Sequence, residues 1–268
     1  MKRRLLSLIL CGLMLLGGCG RQAVQEEIWE LEEKNVATFS DGETVDRWRG
    51  YFENGLQEPW SVYELADGTV LLTEDDVVSV ESDTAGYGSL TEEVQAAVSA
   101  WYQGEGKYYD LSALLSASYT RWQEQGEGFV PGRVGQSTAS TATSGSVIYF
   151  TTTVEQAVDP ENGQQLRYSA AFDRATGQRL DLWTLFTVPE ADARMALAAA
   201  AGDDPAVQET LAAAIDPVHV IFFEDRLEVE FPAGSLEGLD TAYILVVDYA
   251  QLDGVLASSA LPGGAERS

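Results

Sequence analysis

The chain has almost none of the cysteine and histidine that carry thiolate and imidazole chemistry. Its 268 residues include two cysteines, Cys11 and Cys19, and a single histidine, His219. Two thiols this close to the N-terminus offer no disulfide framework and no thiolate metal site. One histidine rules out a histidine-based metal cluster and, without a free cysteine, a Cys–His nucleophile pair. A Ser–His–Asp triad would have to use His219, and no G-x-S-x-G elbow presents a serine to it. No glycine-rich phosphate loop follows a strand and no D-x-D-x-D-G calcium loop is written in the chain. No metal and no cofactor are therefore expected. Basic residues are scarce as well: 16 Lys and Arg face 43 Asp and Glu, a formal charge of −27. Such a surface repels nucleic acid and anionic lipid, and it draws in cationic partners through long-range steering.

Long apolar runs are equally rare, and the one present is short. "MKRRLLSLILCGLMLLGGCG" opens on Lys2, Arg3 and Arg4, continues with an apolar stretch from Leu5 to Leu16, and ends in small residues. That is the plan of a secretory signal, and it falls short of the ~18 apolar residues of a membrane helix. "LGGC", Leu16 to Cys19, resembles a bacterial lipobox, in which the cysteine becomes the first mature residue and carries lipid. Residues 1–18 are thus expected to be a lipoprotein signal peptide and residues 19–42 a lipidated tether. The protein would be anchored outside the cytoplasm by acyl chains, each buried methylene contributing about 0.8 kcal/mol. Removing residues 1–18 takes away three bases and no acid, so the mature charge becomes −30.

What remains reads as one α+β domain over residues 43–268, an antiparallel sheet with long hairpins packed against several helices. "WSVYELADGTVLL" alternates and turns at Asp67-Gly68, a hairpin signal, and "VVSVES" extends it. "SLTEEVQAAVSAWY" starts a helix with Ser89 and Glu92 at capping-box spacing, its buried stripe being Leu90, Val94, Ala97/Val98 and Trp101. Asp110 starts a second helix that buries Leu111, Leu114, Leu115 and Trp122. Residues 126–145, rich in Gly, Ser and Thr and without periodicity, read as a flexible loop. "SVIYFTTTVEQAV" and "QQLRYSAAFD" form a long hairpin across "DPENG". Thr187 and Glu190 repeat the capping spacing for a third helix, and Asp204 with Pro205 starts a fourth. "VHVIFFEDRLEVEF" is a hairpin turning at Glu224-Asp225, with His219 on its first strand, and "AYILVVDY" reads as a buried strand.

Paired carboxylates are the one enzymatic route left open, and with 43 acids some pair always lies at glycosidase spacing. Glu228 and Glu230 alternate with Leu227, Val229 and Phe231, which marks them as the wet face of a strand. Asp75-Asp76 reads as solvated loop. In "WYQGEGKYY", Trp101 and one tyrosine are expected in the core, with the other rings at a helix junction.

The stretch "YSAAFDRATGQRLDLWTLF", residues 168–186, combines a strand, a turn and a compact apolar run. Asp173 is placed to accept hydrogen bonds from the turn amides, Gly177 supplies a positive φ, and Asp181 caps the turn that folds Leu182, Leu185 and Phe186 inward. It also resembles a phrase of the RsiV-like domain, close to F-D-x-x-T-G-x-x-L-x-L-x-x-L-F. Phe172, Asp173, Thr176, Gly177, Leu180, Leu182, Leu185 and Phe186 match it, and the resemblance spans roughly residues 45–257. That domain forms the extracellular part of lysozyme-sensing anti-sigma factors and accompanies some peptidoglycan deacetylases. The resemblance implies the fold and a habit of binding at the cell envelope. "DPENGQ" stands where the family commonly carries a G-G-A-H-like turn, and "PAGSLEGLDT" shortens the segment before the last strand. With no sigma-binding segment, transmembrane helix or deacetylase domain expected beside it, neither sigma-factor signalling nor deacetylation is carried over.

The expectation is an extracytoplasmic lipoprotein with a non-catalytic binding domain. Its partner would be a cationic protein such as lysozyme, or peptidoglycan. The contact surface is expected on loop 126–145, with Phe129 and Arg133, and on the 158–165 tip, with Asp159, Glu161 and Asn162. The rival is a wall-glycan hydrolase using a buried carboxylate pair, which predicts an acid in a deep cleft with a raised pKa.

Overall fold

A computed structural model describes residues 27–52, 59–75, 80 and 86–263. The signal-peptide segment and Cys19 lie outside the described residues. Four strands come first: β1 (Glu27–Thr38), β2 (Thr44–Phe52), β3 (Trp60–Leu65) and β4 (Val70–Asp75). Two helices follow, α1 (Glu92–Gly104) and α2 (Leu111–Gln125). Then come β5 (Gly132–Thr143), β6 (Val147–Ala157), β7 (Gln164–Asp173) and the two-residue β8 (Arg179–Leu180). These eight strands form one sheet in sequence order, antiparallel except where β4 meets β5. A parallel neighbour needs a crossover, and α1 and α2 supply it.

The rest of the chain is α3 (Glu190–Ala198), α4 (Pro205–Ala214), β9 (Val220–Phe222), β10 (Arg226–Phe231) and β11 (Tyr243–Asp248). The last three make a small antiparallel sheet in the order β11-β10-β9. The class is α+β. Strand alternation sorts the layers. Ile148, Phe150 and Val154 of β6 pack toward α1 and α2, whereas Val147 and Tyr149 pack with α3, α4 and the small sheet. The large sheet is therefore sandwiched, apolar on both faces at β6.

Five readings of the sequence change here. The tether expected over 19–42 is not a tether from Glu27 on: Glu27–Thr38 is β1, paired with β2 through a turn at Asp41-Gly42 where Gly42 has φ +91°. Charged residues on both faces hid it, because an edge strand buries little. The loop expected over 126–145 contains β5. Its buried row is Val134, Gln136, Thr138, Ser140 and Ala142, so the alternation is real but written in small and polar side chains. Thr138 of that row has its Oγ1 2.9 Å from Thr152 Oγ1, and the neighbouring half-buried Thr141 donates its hydroxyl to Phe222 O at 2.7 Å.

The capping spacings at Ser89 and Thr187 are not the caps. Thr91 caps α1 by accepting from Val94 N, and Pro189 precedes α3 without a side-chain cap. Thr187 Oγ1 instead donates to Gly254 O at 2.7 Å. His219 ends a 3-10 turn, Pro217–His219, rather than lying on a strand. Finally, β11 is half-exposed rather than buried. Among the described residues it has a strand partner on one side only, and Ile244 and Val246 are 46% and 53% exposed.

Candidate functional site

One end of the molecule collects acids and rings around the C-terminal half of α2. The Asp41-Gly42 turn brings β1 back into β2, with Phe39 N donating to Glu43 O at 2.8 Å. The Phe39 ring stacks on Tyr119 of α2, centroids 3.7 Å apart and planes 5° from parallel. Tyr119 Oη then donates to Asp41 Oδ2 at 2.7 Å, and Gln123 Nε2 donates to the same oxygen at 3.1 Å. The bond from Tyr119 holds the Asp41 carboxyl below its ordinary range, and the same bond pushes the Tyr119 phenol up to about 12. Beside this pair is an open cavity of about 470 Å³ lined by Asp41, Glu43, Tyr119, Trp122, Gln123 and Gly126. Carboxylates facing aromatic rings suit a cation, which gains from both.

The expected contact residues divide around Arg121 of α2. Its guanidinium donates to Val158 O, lies 3.8 Å from Asp159 Oδ1 and sits 5.2 Å over the Phe129 ring. Phe129 and the β6–β7 tip are thus held together on the α2 side of the sheet. Asp159 accepts from Glu161 N at 3.2 Å and from Asn162 Nδ2 at 2.7 Å, which closes the tip on itself. Glu161 and Asn162 are exposed. Arg133 points away from α2, to the other face of β5, and pairs with Asp75 at 2.6 Å.

The lining residues Asp41, Glu43, Tyr119 and Gln123 were missed in the sequence. Asp41-Gly42 is a hairpin signal of the same kind as Asp67-Gly68, but the charged strand before it hid the hairpin. Asp173 Oδ1 accepts from Ala175 N, Thr176 N and Thr176 Oγ1 at 3.0, 2.8 and 2.9 Å. Gly177 has φ +71°, and a Cβ there would meet Ala97 Cβ at 2.8 Å and Val94 O at 2.9 Å. This turn joins β7 to β8 and seats them on α1.

Among the described residues three glutamates are buried, and each is engaged. Glu74 of β4 accepts from Tyr63 Oη and Tyr109 Oη and lies 2.5 Å from Lys107 Nζ. Burial alone would raise its pKa, but the bonds from Lys107, Tyr109 and Tyr63 outweigh burial and hold the carboxyl below its ordinary range. Such a group is a poor proton donor. Glu228 and Glu230 are 7% and 5% exposed, so they are not the wet face of a strand. Both turn toward β7, where Arg167 binds Glu228 at 2.9 Å and Glu230 at 2.6 Å. The alternation is real, but the glutamate face of β10 meets Arg167 of the large sheet instead of water. In "WYQGEGKYY", Tyr102 is core, Trp101 is half-buried, Tyr108 stacks on Tyr168 at 4.4 Å, and Tyr109 reaches Glu74.

No family model matches the chain, and no curated protein matches it. Solved structures do. A DUF3298 family protein from Pseudomonas aeruginosa PAO1 is similar with a TM-score of 0.36 at 16% identity, over 55% of this chain and 72% of that one. A member of the same family from Bacteroides fragilis NCTC 9343 is similar with a TM-score of 0.42 at 9% identity, over 88% of this chain and 95% of that one.

Proposed function

We propose that the protein is an extracytoplasmic lipoprotein, anchored through Cys19, whose folded part is a non-catalytic binding domain for a cationic protein such as lysozyme. The observation that carries this is the cavity where Asp41 and Glu43 face Tyr119 and Trp122. A lysine or arginine of the ligand entering there places its charge on the carboxylates and its stem or guanidinium face on the rings. The chain's charge of −27 raises the encounter rate with such a ligand and gives the binding its salt dependence. The RsiV-like phrase at residues 168–186 supports an envelope ligand of this kind, with peptidoglycan as the other candidate partner.

The test is a titration of the full chain with lysozyme at low and at high salt, for the native protein and for Asp41→Asn and Trp122→Ala. The expected result is a saturable complex at both salts, weakened about tenfold by either substitution. A complex that vanishes with salt and ignores Trp122→Ala would mean diffuse attraction and would sink the assignment. Release of reducing ends from purified peptidoglycan, abolished by Glu228→Gln with Glu230→Gln, would overturn the non-catalytic reading.

A further inference from the structure

The sheet leaves one edge of β7 unfinished. Asp173 N donates to Gln178 O at 2.9 Å, and Asp173 O accepts from Gly177 N at 2.8 Å, so the backbone groups of Asp173 face the β8 side. Alternation along a strand turns those of Ala171, Ser169 and Arg167 the same way. Ala171 lies opposite Leu180 of β8. Arg167 O accepts from His219 Nδ1 at 2.6 Å. Ser169, between them, has no such neighbour. β8 ends at Leu180, where Asp181 caps the 3-10 turn Leu182–Leu185 and takes the chain away. Among the described residues, nothing beyond the β6 ladder hydrogen-bonds to Ser169.

Where the missing strand would lie there is a cavity of about 220 Å³. Ala171, Leu182 and Val218 give it apolar walls, Trp183 an aromatic one, and Arg179 stands at its rim. Arg179 lies 5.0 Å over the Trp101 ring, donates to Leu180 O at 3.3 Å, and has no carboxylate in ion-pair reach among the described residues. Asp181 lines the cavity as well, but its Oδ1 accepts from Trp183 N at 2.8 Å, which leaves Arg179 as the charged group there with no ion-pair partner among the described residues to meet an anion.

The geometry points to a second binding site here, for the end of an extended peptide that carries a free carboxylate. One peptide residue laid beside β7 donates its N–H to Ser169 O and accepts from Ser169 N–H, the pairing of strand addition. Its side chain enters the cavity against Trp183, and the terminal carboxylate meets Arg179. The volume is below the ~300 Å³ at which ordinary ligand pockets begin, so the cavity admits one or two small residues and no larger group. This site uses a cation and an open sheet edge, and it does not depend on the acidic surface at α2.

The experiment uses the full mature chain, labelled with nitrogen-15. It is titrated with N-acetyl-alanyl-alanine, with the C-terminal amide of that peptide, and with N-acetylglucosamine as the other common secondary amide. The free-acid peptide is expected to move the Ser169 amide and the Trp183 indole resonances saturably, with about tenfold weaker binding of the amide form. Arg179→Gln erases that tenfold difference. Val218→Trp fills the cavity and abolishes the shifts; where it does not fold, Ser169→Pro, which deletes only an edge-facing donor, does the same. No shift with the peptide, shifts that survive both variants, or N-acetylglucosamine binding in the peptide's place would each overturn the proposal.

Discussion

Arg167 Nε lies 2.6 Å from Glu230 Oε2, although 63 residues separate them and they belong to different sheets. The second arm of the same guanidinium holds Glu228 at 2.9 Å. Arg226 Nε lies 2.8 Å from the other oxygen of Glu228, so two cations balance two nearly buried carboxylates, and Arg167 is the one that fixes the small sheet against β7. Removing one partner of a buried pair is far more damaging than replacing the whole set, because the remaining charge is stranded in a low dielectric.

Arg167→Met is therefore expected to destabilise the fold by about 3–5 kcal/mol. The triple variant with Glu228→Leu and Glu230→Leu should recover most of that loss. Urea unfolding of the single and triple variants measures both. A triple variant no more stable than Arg167→Met would show that the cluster does not couple as described.

Gly177→Ala meets two obstacles at once, a φ of +71° and contacts under 3.0 Å with Ala97 and Val94 of α1. A loss of about 2–3 kcal/mol is expected. At the open turn of Gly42, where nothing lies within 4 Å of an added Cβ, alanine should cost only about 1 kcal/mol. Thermal melts of the two variants compare them directly.

Glu74 sets an acid limit. Its folded pKa lies below the ordinary 4.5, so the stability it contributes is fully present above that pH and is lost as pH falls through the lower folded value. Stability is expected to be level from neutrality to about pH 5 and to drop below about pH 4. Glu74→Gln should lower stability by about 2 kcal/mol at pH 7 and flatten the acid limb. An unchanged acid limb in that variant would assign it to other carboxylates.

Cys19→Ser is expected to release the protein from the membrane fraction and to stop incorporation of labelled fatty acid. Continued membrane association of the variant would mean that another segment holds it.

Much of this architecture was legible because local chemistry wrote it. Asp110 and Asp204 accept from the first-turn amides of α2 and α4, and Asp67-Gly68 and Glu224-Asp225 close hairpins whose strands alternate. β5 was not legible, since Thr, Ser and Gln carry its inward row and hydropathy sees no contrast between its faces. What buries those residues is the pairing with β4 and β6, which lie far away in sequence or across a turn. The acidic cavity escaped for a related reason: Asp41, Tyr119 and Trp122 each look ordinary alone, and only the stacking of Phe39 on Tyr119 brings them together.

The sequence by itself determined the class of fold, the caps of α2 and α4, the turns at Asp67-Gly68 and Glu224-Asp225, the scarcity of cysteine and histidine, and the net negative charge. Those properties depend on residues within a few positions of one another or on simple counts. The tertiary structure decided which carboxylates face water and which face Arg167, and where the edge of β7 stays open. Burial and unmet hydrogen bonds depend on what the rest of the chain lays across a strand, and no local pattern contains that.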